Sequence, residues 1–245
     1  MKIPLFALPA FLLILLPRVT VEAQIVAENS LQAVEVVGVE TTAQMIRLTL
    51  KNVSPKNITA IDFATSENNT KTIDSILGAG DVLMGPSVDK VFDIGITPGH
   101  PPSKVGILAV VFEDGTGEGV PAQLDYIKNI RLARRDQMRR VAPLWSNLLI
   151  VAQTGNQQEL GQLLNTTLAE VSALPETPAI GTDTPNRNNV AQEIGLKSAK
   201  QDAASDIGRI QQRLAKGSTK EALEYFISKF KDQYDKILAK LEKEG

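Results

Sequence analysis

The apolar residues of this 245-residue chain change their spacing once, between Phe112 and Pro121, and that change constrains the fold more than any other feature. Before it they alternate or run in short blocks between turn residues, as strands do. After it they recur every three or four residues, as helices do. Strands and helices segregated along a chain cannot build an alternating βαβ sheet, so the class expected is α+β. The sequence reads as an all-β sandwich over residues 24–121, a helical region over 122–174, a linker over 175–189 and a long antiparallel helical hairpin over 190–245.

In residues 44–51 the alternation is clean, with Ile46, Leu48 and Leu50 facing one way and Arg47, Thr49 and Lys51 the other. That predicts a half-buried strand. Asn52-Val-Ser-Pro-Lys-Asn57 then supplies turn residues, and further strands are predicted over 31–39, 58–65, 71–77, 88–96 and 104–112. Short strands at near-regular spacing over about 100 residues are the pattern of a sandwich. The stretch Leu48-Thr-Leu-Lys-Asn-Val-Ser-Pro-Lys-Asn-Ile-Thr-Ala60, with the later apolar strand ending Phe112-Glu-Asp-Gly115, resembles the immunoglobulin-like sandwich modules of exported bacterial proteins, the FxLYD type among them. The likeness covers residues 31–120, with Ile61-Asp-Phe-Ala64 where that type carries an aromatic strand. It implies an all-β immunoglobulin-like sandwich and no known chemistry.

The last of these strands runs into Glu113-Asp-Gly-Thr-Gly-Glu-Gly119, and Pro121 follows as the first-turn proline of a helix. Strand, glycine loop and helix is the order of a phosphate cradle. The spacing is Gly-x-Gly-x-Gly, without the dinucleotide glycine or a Gly-Lys-Ser/Thr ending, and Glu113, Asp114 and Glu118 repel phosphate. The same three carboxylates are the candidate ligands for Ca²⁺, a hard ion that takes six to eight oxygens. The competing reading makes Asp114-Gly115 a tight turn closing a hairpin. The hairpin is the expectation here, with no cofactor and no metal.

Beyond Pro121, Tyr126, Ile130, Ala133 and Val141 predict a helix that stops before Pro143. Arg131, Arg135 and Arg139 fall on one stripe of it. Such a stripe either binds an anionic surface, a lipid headgroup or wall polymer, or pairs with acidic groups of the same chain. A short apolar segment with Trp145 follows over 144–152. Then Asn156 and Glu159 form a capping box for a helix carrying Leu160, Leu163, Leu164, Thr167, Val171 and Leu174. In the last part Leu196, Ala203, Ile207, Ile210 and Leu214 form one seam, ended at Gly217, with Ser218 and Glu221 as the next capping box. Leu223, Ile227, Phe230, Tyr234, Ile237 and Leu241 form a heptad seam, the expected contact surface for earlier helices, a second copy or a protein partner.

Lys2, an apolar run over 3–16 and Val21-Glu-Ala23 follow the template of an export signal cleaved after Ala23. The expected location is therefore secreted or periplasmic, with no transmembrane segment once the signal is removed. The chain has no cysteine, so no disulfide or cysteine-linked lipid supports it. Residues 24–121 carry 6 Lys+Arg against 12 Asp+Glu, and residues 187–245 carry 12 against 9. The halves should attract one another, and neither excess suits nucleic acid. One histidine, His100, sits among glycine and prolines, and no catalytic motif appears. The function expected is a non-enzymatic binding or scaffold protein. The alternatives are an envelope hydrolase or carbohydrate-active enzyme using carboxylates at the sandwich edge, and a membrane-surface or wall-polymer binder acting through the arginine helix.

Overall fold

A computed structural model describes residues 26–42, 44–65, 70–78, 82–95, 104–178 and 187–243. The signal segment 1–23, His100 and part of the expected linker lie outside these residues. Among the described residues eight strands precede four helices: β1 (Val26–Asn29), β2 (Val34–Thr41), β3 (Met45–Asn52), β4 (Ile58–Thr65), β5 (Thr70–Asp74), β6 (Asp89–Gly95), β7 (Lys104–Phe112), β8 (Gly117–Gly119), α1 (Pro121–Thr154), α2 (Gln157–Ala173), α3 (Arg187–Ala215) and α4 (Lys220–Lys243). The chain is α+β.

The strands form two sheets. One has the order β1-β7-β4-β5, with β8 also paired to β7, and the other has the order β2-β3-β6. All pairs are antiparallel except β1 with β7. Alternation decides which side chains meet between the sheets. Ile46, Leu48 and Leu50 of β3 are fully buried and pack with Phe92 and Ile94 of β6, Ile61 and Phe63 of β4 and Val105 of β7 in one core. Phe63 and Phe92 close its centre, with ring centroids 5.5 Å apart in a tilted pair. Asn52, at the end of β3, is buried and donates to the carbonyls of Lys56 and Met84, which satisfies the turn that starts β4.

The acidic glycine stretch closes β7 and β8 as a hairpin, turning at Asp114-Gly115. Gly119 adopts a φ of +134°, and a Cβ there would lie 2.2 Å from the Leu108 carbonyl oxygen. No other residue fits so close to β7. The glycines therefore serve the hairpin's approach to its neighbour strand.

Helix α1 corrects two sequence expectations. It runs unbroken for 34 residues through Pro143, about 51 Å, where a stop before the proline and a separate segment over 144–152 were expected. Pro143 lies on the exposed face, where water can serve the carbonyl its ring leaves without a donor. The first half of α1 covers the outer face of the larger sheet, with Ile127 and Leu124 on Ala60 and Val111. Its second half is the axis of the helical bundle, where Met138, Val141, Trp145, Leu148 and Ala152 are buried.

The capping box of α2 forms as the sequence indicates: Asn156 Oδ1 accepts from the Glu159 N–H at 2.9 Å, and Glu159 Oε2 accepts from the Asn156 N–H at 3.0 Å. At the start of α4 the cap is Thr219 instead of Ser218, its hydroxyl accepting from the Ala222 N–H at 3.3 Å. A second difference concerns the last two helices. They lie closer to α1 than to each other, so the two seams meet α1 before they meet one another. The reason lies on α3, where Ala191, Gly195, Ala199 and Ala203 are all buried at intervals of four. A Cβ on Gly195 would lie 2.3 Å from the Ile130 carbonyl oxygen and 2.9 Å from the Arg134 nitrogen of α1, so this stripe brings the two backbones together.

Candidate functional site at the junction of sheets and helices

Where α1 crosses the larger sheet, the contact is polar and charged, and it is built from residues that sequence patterns place on different surfaces. Arg131 lies one turn beyond Ile127, so it points at the sheet. Its Nε reaches Asp74 Oδ2 at 2.8 Å and its Nη2 reaches Asp74 Oδ1 at 3.0 Å, a two-pronged pair with both side chains almost wholly buried. The same Nη2 donates to the Thr59 hydroxyl at 3.0 Å, and that hydroxyl donates on to the Val111 carbonyl at 3.2 Å. Asp74 also accepts from the Ile76 N–H at 3.0 Å. Removing either charge would strand the other in a site with little water.

The expected anionic-surface stripe is therefore corrected. Arg131 is spent on Asp74, and the attraction between an acidic first half and α1 is satisfied inside the molecule. Arg135 is mostly covered and lies beside Asp136 at 3.4 Å, while Arg139 pairs with Glu242 of α4 at 3.1 Å. The stripe is three separate structural pairs.

One turn further on, Arg134 is buried too. Its Nη1 donates to Ser198 Oγ at 2.9 Å, and its Nη2 to the Leu77 carbonyl at 3.0 Å and to Asp202 Oδ2 at 2.7 Å. One guanidinium thus ties the turn after β5 to α3. Asp206, a turn beyond Asp202, is nearly buried and its carboxyl is pushed up from the usual range, first by burial, with Arg209 opposing. Tyr234 of α4 faces the same place, held by Trp145 with ring centroids 5.4 Å apart, and its hydroxyl is pushed well above the usual phenol value by burial and then by Asp206 and Asp202.

A further buried charge, Asp62 of β4, faces the start of α3. Thr72 Oγ1 donates to its Oδ1 at 2.7 Å, and its Oδ2 has no partner. Burial raises its pKa, with the Thr72 hydrogen bond and the Arg187 charge opposing. Arg187 lies 4.9 Å over the Tyr126 ring and donates to Gln123 Oε1, so the first residue of α3 is fastened to α1 beside Asp62.

The candidate ion loop does not converge. Glu113 accepts from Asn57 Nδ2 at 2.7 Å, and Asp114 takes Lys56 Nζ at 2.7 Å and the Thr116 hydroxyl at 2.6 Å, which lower its pKa to about 2. Glu118 turns the other way and accepts from the backbone N–H groups of Gln32 and Ala33, clipping β8 to the segment that leads into β2. Three carboxylates serve three separate partners. Among the described residues no three His, Cys, Asp or Glu side chains come together as a metal would need.

The heptad seam of α4 is occupied within the chain. Leu223, Ile227, Tyr234, Ile237 and Leu241 are buried in the helical core, and Phe230 packs on Trp145 at 5.8 Å. These six residues hold α4 to α1 and are not a free surface for a partner. Among the described residues no helix is long and apolar enough to cross a membrane. No family model matches this chain, and neither a curated protein nor a solved structure matches it.

Proposed function

We propose that this chain is an exported, non-enzymatic binding or scaffold protein, in which an immunoglobulin-like sandwich and a helical bundle are fixed together as one body. The strand order supports the sandwich reading. Strands β2, β3 and β6 correspond to the A-B-E sheet and β5, β4, β7 and β8 to the C′-C-F-G sheet of such folds, β1 being an added edge strand. Export rests on the signal-like N-terminus.

The observation that carries the scaffold reading is the asymmetry of the two sheets. The larger one is covered by α1 and locked through Arg131 and Asp74. Among the described residues no helix packs on the outer face of β2-β3-β6, and Val37 and Val91 stand half exposed there, with Thr49 of β3 paired to Val91. We read this open face, with its half-exposed valines, as the surface that meets another protein.

A photo-crosslinking side chain placed at Val37 or at Val91 tests this in cells expressing the full chain. The expected result is export with an N-terminus at Gln24 and a discrete crosslinked product from both positions, absent when the crosslinker replaces Pro143. Retention of the uncleaved chain inside the cell, or products from Pro143 alone, would overturn the proposal.

A further inference from the structure

A cleft of about 420 Å³ opens between the first half of α1, the segment 175–178 that follows α2, and the start of α3. That volume falls within the range of about 300–1,000 Å³ usual for sites that take small organic molecules. Its apolar surface comes from Leu132 and Ala133 of α1, Leu196 of α3, and Pro175 and Pro178. Ala133 and Leu196 are buried where α3 meets α1 at Gly195.

Two guanidinium groups also line the cleft, and their hydrogen bonds show where their heads lie. The Arg135 side chain is 17% exposed, and its Nε stands 3.4 Å from Asp136 Oδ1, itself on a residue that lines the cleft. Its Nη1 and Nη2 make no hydrogen bond among the described residues, and neither is shut off from solvent. The accessible part of Arg135 thus includes the fork, beside Asp136. Arg140 is exposed, and its Nη1 donates to Gln137 Oε1 at 3.3 Å. Gln137 is buried and donates through Nε2 to the Pro175 carbonyl at 3.0 Å, so it holds the second guanidinium at the wall that Pro175 forms.

Charge and shape together limit what fits. Among the described residues Asp136 is the one carboxylate that lines the cleft, so its fixed charge is plus one. Asp136 is also drawn towards Arg139, whose Nη1 lies 3.7 Å away. A guanidinium fork with unused N–H groups matches a planar carboxylate. The apolar floor favours a hydrocarbon body, since contact there removes both surfaces from water. We infer that this cleft binds a small amphipathic organic anion, a monocarboxylate whose head sits on Arg135 and Arg140 and whose hydrocarbon lies on Leu132, Leu196 and the prolines. The site goes beyond the protein-contact reading above and uses no residue of the open sheet face.

Calorimetric titration of the purified full chain with octanoate tests the inference, with octylamine, octanol, acetate and inorganic phosphate as separate probes. The variants are Arg135→Gln, Arg140→Gln, Asp136→Asn and, outside the cleft, Arg139→Gln. Melting temperatures without any probe report whether each variant keeps the fold. Arg140→Gln changes an exposed residue, so it decides the question even if Arg135→Gln destabilises the chain. The expected result is saturable binding of octanoate, weakened about tenfold by Arg135→Gln or by Arg140→Gln, as for loss of a hydrogen bond between charged groups. Asp136→Asn should tighten it, Arg139→Gln should leave it unchanged, and the other four probes should bind more weakly. No saturable octanoate binding, equal binding of octylamine or octanol, or a loss in Arg139→Gln equal to that in Arg140→Gln would overturn the inference. Acetate or phosphate binding as tightly as octanoate would overturn it too, because the apolar floor would then have no part.

Discussion

The sheet region and the helical region bury their apolar residues in different ways. Between the sheets, every core residue comes from a strand or the turn beside it, and facing side chains meet because pairing register brings them together. In the bundle, α2, α3 and α4 close over one shared element, and α1 also covers the larger sheet. The first core is self-contained, whereas the second depends on a helix that both regions use. The charged groups gather along that shared helix, where apolar packing alone would let the regions slide. Paired guanidinium groups fix orientation in a way that methyl groups do not.

Breaking the joint should therefore have the largest effect. Arg131→Met leaves Asp74 buried without its partner, which costs about 3–5 kcal/mol. Urea unfolding followed by far-UV circular dichroism should show the loss. Adding Asp74→Asn in the same chain should recover much of it, because the stranded charge disappears. If the single and double variants are equally destabilised, the pair is not what holds α1 to the sheet.

A smaller perturbation sharpens the contrast between the cores. Gly195→Ala places a methyl group where the Ile130 carbonyl oxygen stands 2.3 Å away, and α3 must retreat from α1. Overpacking of this kind costs about 1–3 kcal/mol. Hydrogen exchange should record lost protection in α3 and the second half of α1, with the amides of β3 and β4 unchanged. Equal loss in both regions would show that they share a single core.

The two regions also differ in how much their residues announce. The limits of β4 and β7 follow from the apolar runs and turn residues alone, because an apolar run of eight or nine residues bounded by turn residues is a local signal. β1 and β8 escape it: they are four and three residues long, and their pairing with β7 is a long-range fact. In α1 a usable signal was present. Positions 127, 131, 134, 138, 141, 145 and 148 alternate by four and three straight through Pro143, with arginine at two of them. That continuity marks one helix with Arg131 and Arg134 on its inner face, but stripe-reading by charge groups Arg131 with Arg135 and Arg139 instead. The small-residue stripe of α3 was equally visible, and a search for large apolar side chains passes over it. The cluster around Arg134 was not legible, because it joins Leu77, Arg134 and Asp202 from three separate segments.

The mildest test concerns Asp62, a carboxylate at the junction with a buried oxygen that has no partner among the described residues. Its pKa is raised in the folded chain, mainly by burial. A carboxyl raised on folding holds its proton more tightly in the native state, so its contribution favours folding at acid pH and is lost as pH rises through the folded value. At neutral pH the ionised group is carried at a cost that Thr72 and Arg187 only partly offset. Asp62→Asn removes the charge while keeping an oxygen to accept from Thr72, and it should raise the melting temperature at pH 7 by about 2–4 °C, the shift expected for roughly 1 kcal/mol in a chain of this size. The gain should shrink towards acid pH, where the parent carboxyl is itself protonated. A gain independent of pH would assign the effect to packing, and a loss at pH 7 would mean that Arg187 needs the carboxylate to seat α3 on α1.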